Sequence, residues 1–287
     1  MSRASSTSVI ASKPPKKPGI RLGVGARGGV AGGGMLVLAL LVTPVAKAAD
    51  EPPLNELLDR VSQQVGRFWD YFSSVACTER VTQAKLGDKG KVLSERRGSF
   101  DYLIMLRSRG LDLTVDESRV ETAHTQSKKD ASLLETNGFS LFTLIFHNMY
   151  QSRYKFQQLP DEPFEGRRLR CLGFQQVSND HPLSLLHLRE RDYPLAWRGK
   201  AWIDPATSSV VRIRAGLGDS MADMGLLRLD ADVSYSGIRF NGSETYWLPT
   251  RAEVEAQTKR QHWHNIHSFS NYKRFSVDTD VKLGPVN

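Results

Sequence analysis

The chain has 287 residues, of which 40% are hydrophobic, 25 are aromatic and two are cysteines. This composition excludes a disordered chain, a disulfide-dense scaffold and a four-cysteine zinc site. The formal net charge of +8 is concentrated in residues 1–48, which hold seven basic residues and no acidic one; the rest of the chain carries 32 basic and 31 acidic side chains. The folded part is therefore nearly neutral, which argues against nucleic acid as a partner.

Residues 1–48 have the order of a secretory signal peptide. A basic stretch rich in Ser, Pro and Gly precedes an apolar run over 30–42, and small residues at Ala46 and Ala48 mark a cleavage site. We expect cleavage between Ala48 and Ala49, and a mature protein without a membrane span that is periplasmic or secreted. The apolar run is shorter than the roughly 20 residues that cross a bilayer. An uncleaved N-terminal anchor is the alternative.

The mature chain is predicted to form one domain over 53–287, and its first element is an amphipathic helix over about 54–74. Apolar residues recur at spacings of three and four, from Leu54 through Phe68 to Phe72, with polar residues between them. The polar face carries mixed charges and lacks the Lys/Arg bias of helices that lie on membranes. We therefore expect this helix to pack on the protein's own sheet.

From residue 75 the apolar period changes to two, which is typical of antiparallel strands with one buried face. Over 227–236, for example, Leu227 and every second residue after it are apolar or aromatic. We predict a mainly β (α+β) protein of about 9–11 strands, arranged as a curved antiparallel sheet or half-open barrel with helices covering the opening. The residues predicted on its inner apolar side are Tyr102, Ile104, Leu229, Val233, Tyr246 and Val254.

A second helical segment is predicted at about 139–149, between the strands. Its apolar residues, among them Phe142, Ile145 and Phe146, lie almost all round the helix, so neighbouring elements should bury it. One helix before the sheet and one within it are the basis for expecting a helical cover.

Several strand and hairpin sequences resemble a known family. They are Cys77-Thr78-Glu79, the stretch GKAWIDPAT at 199–207, YWLPT at 246–250 and FSNYKRF at 269–275. These are similar to exported bacterial proteins of the LolA/LolB-like lipoprotein-localisation superfamily, and in particular to its envelope members. The resemblance implies a half-open antiparallel barrel with a helical lid over an apolar cavity.

Two functions follow for such a protein. The first is binding of a lipid or acyl chain in an apolar cavity under the helices. The second is a structural or regulatory function through an envelope protein partner, without enzymatic activity. In the first case the inner-side residues line the cavity together with Phe68, Phe72, Phe142, Ile145 and Phe146. If the sheet closed tightly, the same residues would form a solid core.

The sequence contains no pattern typical of an enzyme or a metal site, and we expect neither a catalytic residue nor a cofactor. His262, His264 and His267 form an H-x-H-x-x-H cluster, but on a strand the third histidine faces away from the other two. Three acidic residues are interpreted as rim or surface charges, because their spacing defines no acid–base pair. These residues are Glu79, Glu117 and Glu121.

Cys77 and Cys171 are a disulfide candidate. An oxidising envelope permits the bond, and both side chains are expected to point inward from their strands. The bond would close a loop of roughly 95 residues and contribute on the order of 4 kcal/mol. Two separately buried thiols are the alternative.

Overall fold

The computed structural model describes residues 53–71, 74–109, 112–124, 134–136, 138–178, 182–188, 191–242 and 244–275. The predicted leader over 1–48, its cleavage site between Ala48 and Ala49, Phe72 and the side chain of Phe68 lie outside these described parts. Within them, no helix combines the length and the hydrophobicity needed to cross a membrane.

The described residues form two α-helices, a 3₁₀ turn within the helical cover and twelve strands. The helices are α1 (Leu54–Tyr71) and α2 (Asn148–Gln151), and the 3₁₀ turn spans Leu141–Phe146. The strands are β1 (Ser74–Leu86), β2 (Val92–Arg109), β3 (Asp112–His124), β4 (Tyr154–Phe164), β5 (Arg167–Gln176), β6 (Leu185–Leu188), β7 (Arg191–Pro194), β8 (Trp197–Ile203), β9 (Val210–Leu217), β10 (Leu226–Arg239), β11 (Thr245–Thr258) and β12 (His262–Phe275).

Ten of these strands form one antiparallel sheet in the order β3-β2-β1-β12-β11-β10-β9-β8-β5-β4, while β6 and β7 pair with each other. The sheet is curved, and it is not closed into a barrel because β3 and β4 are its two edges and do not pair. The structure thus confirms the predicted mainly β fold, and the ten strands of the large sheet fall within the predicted 9–11, with β6 and β7 forming a separate pair.

Alternation along β10 places apolar side chains on the inner face of the sheet. Leu229 and Val233 are buried there, as predicted. A register shift between Leu226 and Arg228 turns Leu226 inward and leaves Leu227 exposed. The predicted inward position of Leu227 is therefore wrong, because a β-bulge inserts one residue and reverses the alternation.

The helical cover lies over this inner face. The apolar stripe of α1, represented by Val61, Val65 and Trp69, is buried, and α1 packs on the 3₁₀ turn and on α2. The predicted helix at 139–149 is instead the 3₁₀ turn followed by a single α-helical turn, because the backbone is extended at His147 between them. The segment is buried, as predicted. Described residues 134–136 and 138–140, named here the inner segment, lead into the 3₁₀ turn.

The predicted Cys77–Cys171 disulfide is not formed, and both cysteines are free and buried. Cys77 belongs to the main core, whereas Cys171 packs with Trp202 in a second cluster. Its neighbour Leu172 points into the main core, so Cys171 points to the opposite face of β5. The strands that carry the two thiols, β1 and β5, are also six places apart in the sheet, and neighbouring strands are spaced about 4.8 Å apart. The prediction failed because β5 is buried on both faces.

Burial raises the pKa of Cys77 to about 12, so this thiol stays protonated.

Candidate functional site

A small pocket lies beneath the C-terminal half of α1. Its volume is about 180 Å³, and its apolar wall includes Val65 on α1, Val210 at the start of β9 and Tyr246 at the start of β11. Both the helical cover and the sheet therefore contribute to it. The other residues that line the pocket are Gln64, Arg67, Thr143, Ser209, Glu244, Thr245 and Trp247.

The turn between β8 and β9 holds one side of the pocket. The Asp204 carboxylate accepts hydrogen bonds from the backbone N–H of Ala206 at 2.9 Å and of Thr207 at 3.4 Å. The Asp204 N–H donates to the carbonyl of Ser209 at 2.9 Å. An aspartate that bonds to the backbone two residues ahead stabilises a tight turn. This turn places Ser209 and Val210 at the pocket.

Ser209 has a polar group without a partner. The residue is 3% exposed, and its hydroxyl oxygen is buried with no hydrogen bond to any described residue. A buried hydroxyl left unpaired costs about 1–3 kcal/mol. Ser209 is also one of the residues that line the pocket, so a ligand that reached this hydroxyl and hydrogen-bonded to it would remove that cost.

Tyr246 is the predicted cavity residue that the structure places at the pocket. The other described candidates are packed in the main core at 2% exposure or less, so side chains fill the space where a larger cavity was expected. Their contact with a ligand stays a prediction. These residues are Tyr102, Ile104, Phe142, Ile145, Phe146, Leu229, Val233 and Val254. Sequence reasoning missed Ser209, Val210 and Thr143, although Val65 was already part of the predicted helical stripe.

A buried polar network lies at a different place on the inner face. Glu79 on β1 is completely buried, and its carboxylate accepts from Arg119 Nη2 at 2.7 Å and from His267 Nδ1 at 2.8 Å. Because Nδ1 faces a carboxylate it carries the proton, so in the neutral ring Nε2 accepts from the Thr136 hydroxyl at 2.6 Å. The interpretation of Glu79 as a rim charge is therefore wrong.

This network fixes the inner segment to the sheet. Asn265 donates to the carbonyl of Leu134 at 2.7 Å, and Glu117 accepts from the N–H of Gly138 at 2.8 Å. Arg119 donates to the carbonyl of Thr136 at 2.7 Å. The inner segment leads directly into the 3₁₀ turn, which contributes Thr143 to the pocket. The buried network therefore positions one wall of the pocket.

The order Thr136–His267–Glu79 has the hydrogen-bond polarity of a catalytic triad. Thr136 is, however, 2% exposed, and its hydroxyl also accepts from Asn265 at 3.1 Å. Burial lowers the pKa of His267 below its ordinary value, although hydrogen bonding to Glu79 opposes this effect. In this arrangement the three side chains hydrogen-bond to one another, and we interpret them as an anchor for the inner segment.

The H-x-H-x-x-H cluster is divided between the two faces of β12, as predicted. His262 bonds to Glu255 at 2.5 Å on the outer face, whereas His267 belongs to the buried network. Within the described parts of the chain, no group of three or more His, Cys, Asp or Glu side chains is arranged to hold a metal ion.

No protein-family model and no curated protein matches the chain. Solved structures similar to it include a DUF1329 family protein from Desulfovibrio piger, with a TM-score of 0.40 and 14% identity over 82% of this chain and 96% of that one. An outer membrane lipoprotein-sorting protein domain from Vibrio parahaemolyticus matches with a TM-score of 0.37 and 11% identity over 79% and 95% of the two chains.

A third similar structure is a LolA superfamily protein from Nitrosomonas europaea, with a TM-score of 0.33 and 12% identity over 78% of this chain and 94% of that one. The family that the sequence motifs resemble is thus found among the similar structures. Since all three TM-scores are below 0.5, the function of the chain is inferred from its own geometry.

Proposed function

We propose that this protein is exported to the cell envelope and binds the apolar part of a lipid or acyl chain in the pocket under α1. The observation that carries the proposal is the composition of this pocket: an apolar wall of Val65, Val210 and Tyr246 beside the unpartnered hydroxyl of Ser209. A concave site that combines apolar side chains with convergent polar groups is typical of small-molecule binding. No catalytic step is part of the proposal.

The size of the pocket limits what it can hold without a change of structure. A cavity of about 150 Å³ is filled by benzene, which has six carbons. The 180 Å³ under α1 therefore suit an apolar group of about six to eight carbons. A longer chain would have to extend past α1 or displace it. Since α1 is attached largely by its apolar stripe, an apolar ligand can replace some of the contacts that such a displacement removes.

Affinity for straight-chain primary alcohols is expected to rise with length and then to level off. Each additional buried CH₂ contributes about 0.8 kcal/mol, which is about fourfold in affinity. The increase should stop near eight carbons, where the pocket is full. Calorimetric titration of the purified full-length protein with alcohols of increasing length measures this. Absence of binding at every length would reject the proposed function.

A matched pair of variants locates the site. Gln64→Trp puts a large ring at the pocket and should weaken alcohol binding at least tenfold, since the ring occupies the space of the ligand. Gln63→Trp changes the neighbouring, exposed position of the same helix and should bind as the unchanged protein does. Equal effects of the two substitutions would place the binding site elsewhere.

Binding of a protein partner is the second candidate function. Two adjacent apolar side chains at the start of β2, Val92 and Leu93, are 49% and 61% exposed. Leu93 also lines an open groove of about 910 Å³ on the strands. If the alcohols do not bind, this region is the better candidate for the functional surface.

A further inference from the structure

We propose that the pocket under α1 selects an anionic amphiphile and holds its carboxylate or phosphate at Arg67 and Ser209. This inference rests on the proposed function and adds the chemical class of the polar group. The apolar part of the ligand would lie along Val65, Val210 and Tyr246, and the anionic group would lie at the polar side of the pocket.

Ser209 supplies the first observation. Its hydroxyl is buried and has no hydrogen-bond partner among the described residues. Ser209 is also one of the residues that line the pocket. A hydroxyl can donate to a carboxylate or phosphate oxygen, and hydrogen bonds to charged groups are stronger than neutral ones. An anion would therefore gain more from this position than an alcohol would.

The charges at the pocket supply the second observation. Arg67 lies in the C-terminal half of α1, lines the pocket and forms no ion pair with any described residue. The guanidinium group matches the oxygen geometry of carboxylates and phosphates. The opposite charge, Glu244, already accepts a hydrogen bond from the Tyr246 hydroxyl at 2.7 Å. Glu244 thus already has a hydrogen-bond donor, whereas Arg67 has no ion-pair partner among the described residues.

The test compares four eight-carbon probes that differ in their polar group: octanoate, octyl phosphate, 1-octanol and octylamine. All four have the same chain, so a difference in affinity reports the polar group. In the full-length protein, octanoate or octyl phosphate should bind at least tenfold more tightly than 1-octanol, and the tighter of the two identifies the anion. Octylamine should bind most weakly, because Arg67 repels it.

Three variants assign the selectivity to residues. Arg67→Gln should reduce the affinity for the anion to that for 1-octanol, whereas Arg60→Gln, on the same helix but away from the pocket, should leave both unchanged. Ser209→Ala should weaken binding of the anion about tenfold. It should not lower the thermal stability of the free protein, since it removes an unpaired buried hydroxyl.

Failure of this inference can be distinguished from failure of the proposed function. If 1-octanol binds as tightly as the two anions, or octylamine binds more tightly, the anion-selective site is rejected while apolar binding stands. If none of the four probes binds, both are rejected. An anion preference that persists in Arg67→Gln and in Ser209→Ala would also overturn the assignment.

Discussion

Glu79→Gln is expected to lower the free energy of unfolding by about 3 kcal/mol or more. Glu79 is completely buried and compensates the charge of Arg119, whose Nε lies 2.6 Å from the second carboxylate oxygen. Glutamine keeps the shape of the side chain, and its amide oxygen can still accept from His267. The loss therefore reports chiefly the removal of the Glu79 charge that lies against Arg119. Urea unfolding of the two proteins measures the difference.

The matched control is Glu121→Gln on β3. Glu121 pairs with Arg96 at 2.5 Å, but its side chain is 31% exposed, and pairs of this kind contribute about 0.2–1 kcal/mol. Combining Glu79→Gln with Arg119→Met should recover part of the stability, because the unpaired cation is removed as well. Equal losses for Glu79→Gln and Glu121→Gln would show that the buried network does not anchor the inner segment.

Phe146→Ala is expected to lower the free energy of unfolding by about 3–5 kcal/mol. Phe146 was predicted to line a ligand cavity, yet it is fully buried in the 3₁₀ turn with the rings of Phe156 and Phe174 at centroid distances of 5.6 and 6.1 Å. Truncation removes a well-packed ring and leaves a cavity that the core cannot fill. Denaturant unfolding monitored by circular dichroism measures the loss.

Phe164→Ala is the comparison for this substitution. Phe164 lies at the end of the edge strand β4, is partly buried and belongs to the smaller cluster on the other face of the sheet. Its truncation should cost about 1–2 kcal/mol, since less apolar surface is lost from the interior. A loss below 1 kcal/mol for Phe146→Ala would mean that the interior around this ring is not tightly packed, as the cavity hypothesis requires.

Much of the architecture could be predicted because alternation and helical spacing are local properties of the sequence. The stripe of α1 and the inward positions of Leu229, Val233 and Val254 follow directly from these periods. Leu227 was misplaced because a β-bulge changes the register without a change in the apolar pattern. Cys171 was assigned to the wrong face of β5 because both faces of this strand are buried, so an apolar residue there need not point to the inner face of the sheet.

The buried network could not be predicted, because its members are far apart in the sequence. Glu79 and His267 are separated by 188 positions, and Thr136 and His267 by 131. A single carboxylate on a strand is usually solvated, and its burial becomes favourable only when the fold brings a cation and a histidine to it. Ser209 was missed for a related reason, since a serine in a turn sequence shows no sign of the pocket beside it.

Photocrosslinking tests most directly whether the pocket under α1 is the ligand site. The probe is an eight-carbon alcohol with a diazirine near its apolar end, and mass spectrometry of the digested full-length protein identifies the labelled residues. We expect labelling at Val65, Val210, Tyr246 or Trp247, which should decrease with excess 1-octanol and in Gln64→Trp but not in Gln63→Trp. Labelling confined to the outer face of the sheet, or labelling that 1-octanol does not reduce, would contradict the proposed site.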